Sequence, residues 1–103
     1  MDMNLEQLRG FVEVARLGHF TRASESLHLA QPSLSRQIST LERELGAELF
    51  HRARGHIALT SAGETLLPRA QRMLAEADAI RAELTAAGVI LEDKADATNW
   101  RRA

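Results

Sequence analysis

One stretch constrains this chain more than any other: Gln31-Pro32-Ser33-Leu34-Ser35-Arg36-Gln37-Ile38-Ser39-Thr40-Leu41. Pro32 suits the first turn of a helix, where its missing N–H costs nothing. Leu34, Ile38, Leu41 and Leu45 follow at spacings of four and three, which puts them on one helical face. The other face carries Ser33, Ser35, Arg36, Gln37, Ser39 and Thr40, with no carboxylate between Ala30 and Leu41. An apolar back with an acid-free polar front suits a DNA major groove. There Arg can pair with guanine through two hydrogen bonds, Gln with adenine, and Ser with a base or a phosphate. An ordinary amphipathic helix with a solvated face has the same pattern, so the flanking chain has to decide.

At 103 residues the chain is one small domain, or one small domain with an extension. Hydrophobic residues make up 45% and aromatic residues 4%, so an aliphatic core is expected. The absence of Cys excludes disulfides, thiol chemistry and Cys-based zinc sites. No apolar run has membrane-spanning length, and the start Met1-Asp2-Met3-Asn4 does not read as a signal peptide. The expected compartment is the cytoplasm. A formal net charge of −1 weighs against a nucleic-acid partner, but the distribution weighs for one. The segment from Leu49 to Gly63 holds Arg52, Arg54, His51 and His56 and no acid, so it and the central stretch can both be locally positive. Nearly all basic charge is Arg, the better residue for paired contacts to bases and phosphates; Lys94 is the only Lys.

Asn4 and Gln7 have the spacing of a capping box, and Leu5, Leu8, Phe11, Val12 and Ala15 make a helical stripe that stops before Gly18. The pattern predicts a first helix of about 13 residues. Thr21 is the expected cap of a short second helix, with Ala23 and Leu27 facing inward. His28-Leu29-Ala30 is the expected turn, and the third helix then runs to about Leu45, with Gly46 as its stop. Two helices joined by a tight turn, the second polar and acid-poor at its start, make a helix-turn-helix pattern. Leu49-Phe50 and the alternating Ile57-Ala58-Leu59-Thr60 predict two short strands around a basic loop, a wing with Arg52 or Arg54 at its tip.

Phe20-Thr21-Arg22-Ala23, Gln31 to Ile38, Leu41-Glu42 with Leu45-Gly46, Leu49-Phe50 with Arg52, and Leu59-Thr60 with Ala62-Gly63 stand in one order and spacing. In this the chain resembles the N-terminal winged helix-turn-helix domain of the LysR-type transcriptional regulators. The resemblance implies a mainly α fold, with a trihelical core, a short β-hairpin wing and a long linker helix. It implies sequence-specific binding of double-stranded DNA and transcription regulation. The expected DNA-binding residues are Thr21, Arg22, Gln31, Pro32, Ser33, Ser35, Arg36, Gln37, Arg52 and Arg54. It further implies an inverted-repeat site bound by a dimer. Two positions depart from the family pattern. Ala30 stands where Ser or Thr usually precedes the Gln-Pro pair, and a missing cap costs about 1 kcal/mol. Gly55 stands at the usual wing arginine, with Arg54 beside it.

Thr60 or Ser61 starts the longest periodic segment, in which Leu66, Ala70, Met73, Ala77, Ile80, Leu84 and Ala87 alternate spacings of four and three. Pro68 falls inside it and is expected to kink or weaken its first turns. Such a helix needs a partner: the resemblance implies that it is the same helix of a second subunit, and the alternative is that the seam folds back on the trihelical core. The expected dimerisation residues are Leu66, Ala70, Met73, Ala77, Ile80 and Leu84. The expected organisation is a DNA-binding domain over residues 1–60, a linker and dimerisation helix over 61–88 and a flexible tail over 89–103. A regulator of this type continues into an effector-binding domain, which these residues cannot supply. The chain therefore reads as a truncated or a stand-alone member.

Enzyme signatures are missing: there is no phosphate-binding loop, no Gly-x-Ser-x-Gly and no His-Glu-x-x-His. His51 and His56, five apart, could meet a metal, but no further ligand cluster accompanies them. No cofactor is expected. The alternative reading belongs to another class: a protein-interaction subunit that pairs through its long helix with a full-length regulator and modulates it.

Overall fold

A computed structural model of the chain describes residues 3–53 and 56–88. The tail expected over 89–103, and Arg54 and Gly55 of the wing, lie outside the described residues. The element order is α1 (Leu5–Leu17), α2 (Phe20–Leu27), α3 (Gln31–Leu45), β1 (Phe50–Ala53), β2 (His56–Leu59) and α4 (Ser61–Ala86). It is a mainly helical winged helix-turn-helix followed by a long helix.

Local chemistry sets most of the boundaries. The Asn4 side chain accepts the Gln7 N–H at 2.8 Å while Gln7 Oε1 accepts the Asn4 N–H at 3.0 Å, so α1 starts in a complete capping box. Gly46 ends α3 in the left-handed conformation at φ 71°, where its N–H reaches the Glu42 and Arg43 carbonyls. Thr60 caps α4 by accepting the Gly63 N–H at 3.0 Å and donates to the Glu48 carbonyl at 2.6 Å. The helix continues through Pro68, which is exposed.

The start of α2 differs from expectation. The cap is His19, which makes no side-chain capping bond, and Phe20 is already helical. Thr21 lies inside the first turn, and its Oγ1 donates to Gln31 Oε1 at 3.1 Å. The cause is tertiary. The Phe20 ring meets Phe50 edge-on at 6.2 Å, and the Phe11 ring lies 5.4 Å from Phe50. The chain has three phenylalanines, and all of them meet where α1, α2 and the wing converge. The core is therefore not purely aliphatic. Its few aromatics sit at the junction, where aromatic pairs add about 0.5–1.5 kcal/mol beyond burial. The rest of the core is Leu8, Val14, Ala23, Leu34, Ile38, Leu41 and Leu49, closed from the α4 side by Ala70 and Leu74.

Polar groups lock the elements together. Glu13 on α1 binds Arg16 at 2.7 Å and accepts from Ser26 at the end of α2. Those hydrogen bonds, Arg16 first, hold its carboxyl below the usual carboxylate range. Glu42 Oε2 accepts the Leu49 N–H at 2.8 Å and ties α3 to the start of the wing. The wing strands pair antiparallel, Phe50 with Leu59 and Ala53 with His56.

The close packing at Gly63 and the bare cap at Ala30 each make a stability prediction. A Cβ on Gly63 would run into the Leu49 carbonyl and come within 2.8 Å of the Leu59 side chain. Gly63→Ala should therefore destabilise by about 1–3 kcal/mol, as overpacking does, despite the gain in helix propensity. A Tm equal to or above that of the parent chain would refute it. Ala30 caps α3 without a side-chain bond, and its φ of −71° and ψ of 141° already suit a capping residue. Ala30→Ser should add about 1 kcal/mol in denaturant unfolding, with the slope unchanged.

Candidate nucleic-acid interface

The outer surface of α3 is sorted by the helical period around its buried line of Leu34, Ile38 and Leu41. Opposite that line, Pro32, Arg36, Ser39 and Arg43 are all on the outer face, at spacings of four, three and four. Gln31 and Ser35 lie one turn apart on one flank, where Gln31 meets Thr21 of α2. Ser33 and Gln37 lie on the other flank. Gln37 is turned toward α1: its Oε1 is buried with no partner among the described residues, 3.3 Å from where a Cβ on Gly10 would stand. Of the expected α3 residues, Pro32 and Arg36 therefore hold the centre of the face and Gln37 sits at its edge. Ser39 and Arg43 extend the face and were not among the expected site residues. Their spacing from Pro32 is the signal that finds them.

Thr21 and Arg22 are exposed at the start of α2, so the beginnings of the two helices share one surface. Neither helix carries an acid in its first turn. The helix dipole at both starts and the free N–H groups at the start of α2 favour an anion there, whereas in α3 Pro32 has no N–H and the Ser33 and Leu34 N–H groups bond the Ala30 carbonyl. An open cleft of about 610 Å³ separates α2 from the wing, lined among others by His19, Arg22, Arg52 and His56, with Glu25 its single carboxylate among the described residues.

Arg52 is not at the tip of the wing. It pairs with Ile57 inside the hairpin, and its guanidinium lies 4.8 Å from the centroid of the Phe20 ring. Side chains alternate along a strand, so Arg52 projects on the same side as Phe50 and reaches α2. A cation over an aromatic face gains about 0.5–1 kcal/mol at an exposed site. Arg52 thus props the wing against α2 while keeping its charge in the cleft. Arg54 lies outside the described residues.

The seam expected along α4 is divided. Ala70 is fully buried and Leu66 partly buried, both against the chain's own core, with Leu74 beside them. Ala70 therefore has no surface to offer a second chain. The reason is that α1 and α4 pack side by side, and Arg9 meets Asp78 at 3.3 Å along the same contact. Met73, Ile80 and Leu84 remain outside, at spacings of seven and four, and Ala77 lies at the border. No group of three or more His, Asp or Glu among the described residues could hold a metal, and no described helix is long and apolar enough to cross a membrane.

Comparison with known proteins places this arrangement. Residues 5–64, from the start of α1 to the first turn of α4, match the family described as bacterial regulatory helix-turn-helix protein, lysR family. Over 82 residues the chain is 48% identical to the HTH-type transcriptional regulator HdfR of Escherichia coli O139:H28, covering 80% of this chain and 29% of that protein. It superposes on a full-length OxyR variant from Pseudomonas aeruginosa with TM-score 0.79 and 42% identity, over 86% of this chain and 30% of that one. The BenM DNA-binding domain, solved in complex with benA site 1 DNA, gives TM-score 0.79 and 36% identity, over 84% of this chain and 97% of that domain. Helix order, wing and the first turn of the long helix are thus accounted for by one family, and this chain belongs to it: the lysR family of bacterial regulatory helix-turn-helix proteins.

Proposed function

We propose that this chain binds double-stranded DNA sequence-specifically, as the DNA-binding module of a transcription regulator working in the bacterial cytoplasm at the nucleoid. The observation that carries this reading is the acid-free face of α3, which runs without a break onto the start of α2 through the Thr21–Gln31 hydrogen bond. The BenM domain that it resembles was solved with DNA. In this reading the beginning of α3 enters the major groove. Arg36, Ser35 and Gln31 meet base edges, while Pro32 and Ser33 pack against the groove wall. Gln37 joins only if its side chain turns out from α1. Thr21, Arg22 and the two helix starts meet phosphates, and Arg52 and Arg54 bring charge to the adjacent groove or backbone. Phosphate contacts set register and base contacts set sequence.

The second part of the proposal is a homodimer on an inverted repeat. One small domain neutralises few phosphates, and joining two makes the second contact intramolecular, raising affinity by about a hundredfold to ten-thousandfold. The surface proposed for the join is the stripe Met73, Ile80 and Leu84. Ile80 is 49% and Leu84 38% exposed, against 0% for Ala70. Leu66 and Ala70 pack on the domain itself, which supports a dimer contact on the distal half of α4, with Ala77 at its edge.

Arg36→Ala should cost about 1–3 kcal/mol on the preferred duplex and relax preference at one position per half-site. The check is titration against the selected duplex and its single-base variants; equal loss on every variant would make Arg36 a phosphate contact. Ile80→Asp should put an unpaired carboxylate in the helix pairing and prevent it. Sedimentation should then show a monomer, circular dichroism should keep the helical signal, and operator affinity should fall by the factor given above. A dimer that persists with unchanged affinity would remove this stripe from the interface.

A further inference from the structure

Arg43 has no role in the reading above, yet it has the surroundings of a binding residue. It stands seven residues, two helical turns, beyond Arg36 on the same outer face of α3. Its neighbours in sequence are both acids, and both turn away from it. Glu42 Oε2 is engaged by the Leu49 N–H at 2.8 Å, and Glu44 Oε1 is buried. Arg9 and Arg16 of α1 are paired with Asp78 and Glu13, whereas Arg43 makes no ion pair among the described residues. Its Nη2 donates only to Thr40 Oγ1, at 3.4 Å, one turn back on its own helix. The fold thus leaves an outward guanidinium without a carboxylate, in line with the residue that the proposed function assigns to base reading.

Resting on that proposed function, we infer that Arg43 contacts a phosphate of the duplex, at the rim of the groove that α3 enters. The distances decide between base and phosphate. Two helical turns advance about 10 Å along the axis, and the major groove is about 8.5 Å deep. A helix that enters by its start and touches base edges with Arg36 therefore carries Arg43 back to the level of the backbone. Entry by the start is itself favoured by the packing: the beginnings of α2 and α3 share a surface at Thr21 and Gln31, whereas the end of α3 is tied to the wing through Glu42. A guanidinium with five donors and no competing acid is matched to phosphate oxygens.

The test compares the 103-residue chain with its Arg43→Ala, Arg43→Gln and Arg43→Lys variants in a salt series. Each is titrated on two duplexes, the one that the parent chain selects from a random pool and one of scrambled sequence. On both duplexes, Arg43→Ala and Arg43→Gln should flatten the log–log salt slope by about 0.9 for each phosphate no longer neutralised, while Arg43→Lys keeps it. The ratio of affinities between the two duplexes should not change. An unchanged slope overturns the inference, as does a changed base preference at constant slope, which would make Arg43 a base reader. A loss confined to Arg43→Ala, with Arg43→Gln behaving as the parent, makes it a packing effect and overturns it too. Failure of the parent chain to bind either duplex would instead overturn the DNA-binding reading itself.

Discussion

The peptide groups at Leu49 are held from three sides. The N–H is taken by the Glu42 carboxylate of α3, the carbonyl by the Thr60 N–H before α4, and Gly63 comes so close that no side chain fits between. A buried N–H left without a partner costs about 1–3 kcal/mol. The bond to Glu42 thus protects a group that would otherwise oppose burial of Leu49. Everything downstream of α3 depends on this point. Phe50 can turn inward because Leu49 is anchored, and α4 leaves in a fixed direction because Thr60 bonds the Leu49 carbonyl and Gly63 packs against it.

The wing is oriented at the same base by the phenylalanines. Phe50 brings β1 onto Phe11 and Phe20, and Arg52, on the same side of the strand, lies over the Phe20 ring. A two-stranded hairpin alone is marginally stable in water. Here one buried ring and one stacked guanidinium replace the sheet it lacks. The same residues that stabilise the wing also bring its charge beside α2, so packing and electrostatics at this place are not separable.

Much of the fold was legible because it is local. The Asn4–Gln7 box, the glycine stops at Gly18 and Gly46, Pro32 in the first turn and the alternation around Ile57 each depend on residues a few positions apart, and each element appears where the spacing puts it. What was not legible is tertiary. Thr21 has the chemistry of a cap, but Phe20 is drawn into the helix by a ring 30 residues away, and the cap falls on His19. An aromatic fraction of 4% suggests an aliphatic core; it does not say that every phenylalanine meets at one junction. Gln37 has the chemistry of a base reader, and its position beside Gly10 turns it inward, while Ser39 and Arg43 take the outward places. The repeat along α4 shows an apolar line and cannot say what covers it. Its first turns are covered by the chain's own core.

Because Ala70 and Leu74 are embedded in that core, α4 cannot turn about its own axis without tearing the domain open. The long helix and the reading head therefore move as one rigid lever. Its 26 residues span roughly 39 Å, so a tilt of about 10° applied at the far end displaces the head by roughly 7 Å, about two base-pair steps. If two such chains are joined tail to tail, the tolerance for half-site spacing is set by the hinge between the levers and not by the heads. A small change of angle at the join is then enough to bring both heads into register with one operator, or to take them out of it.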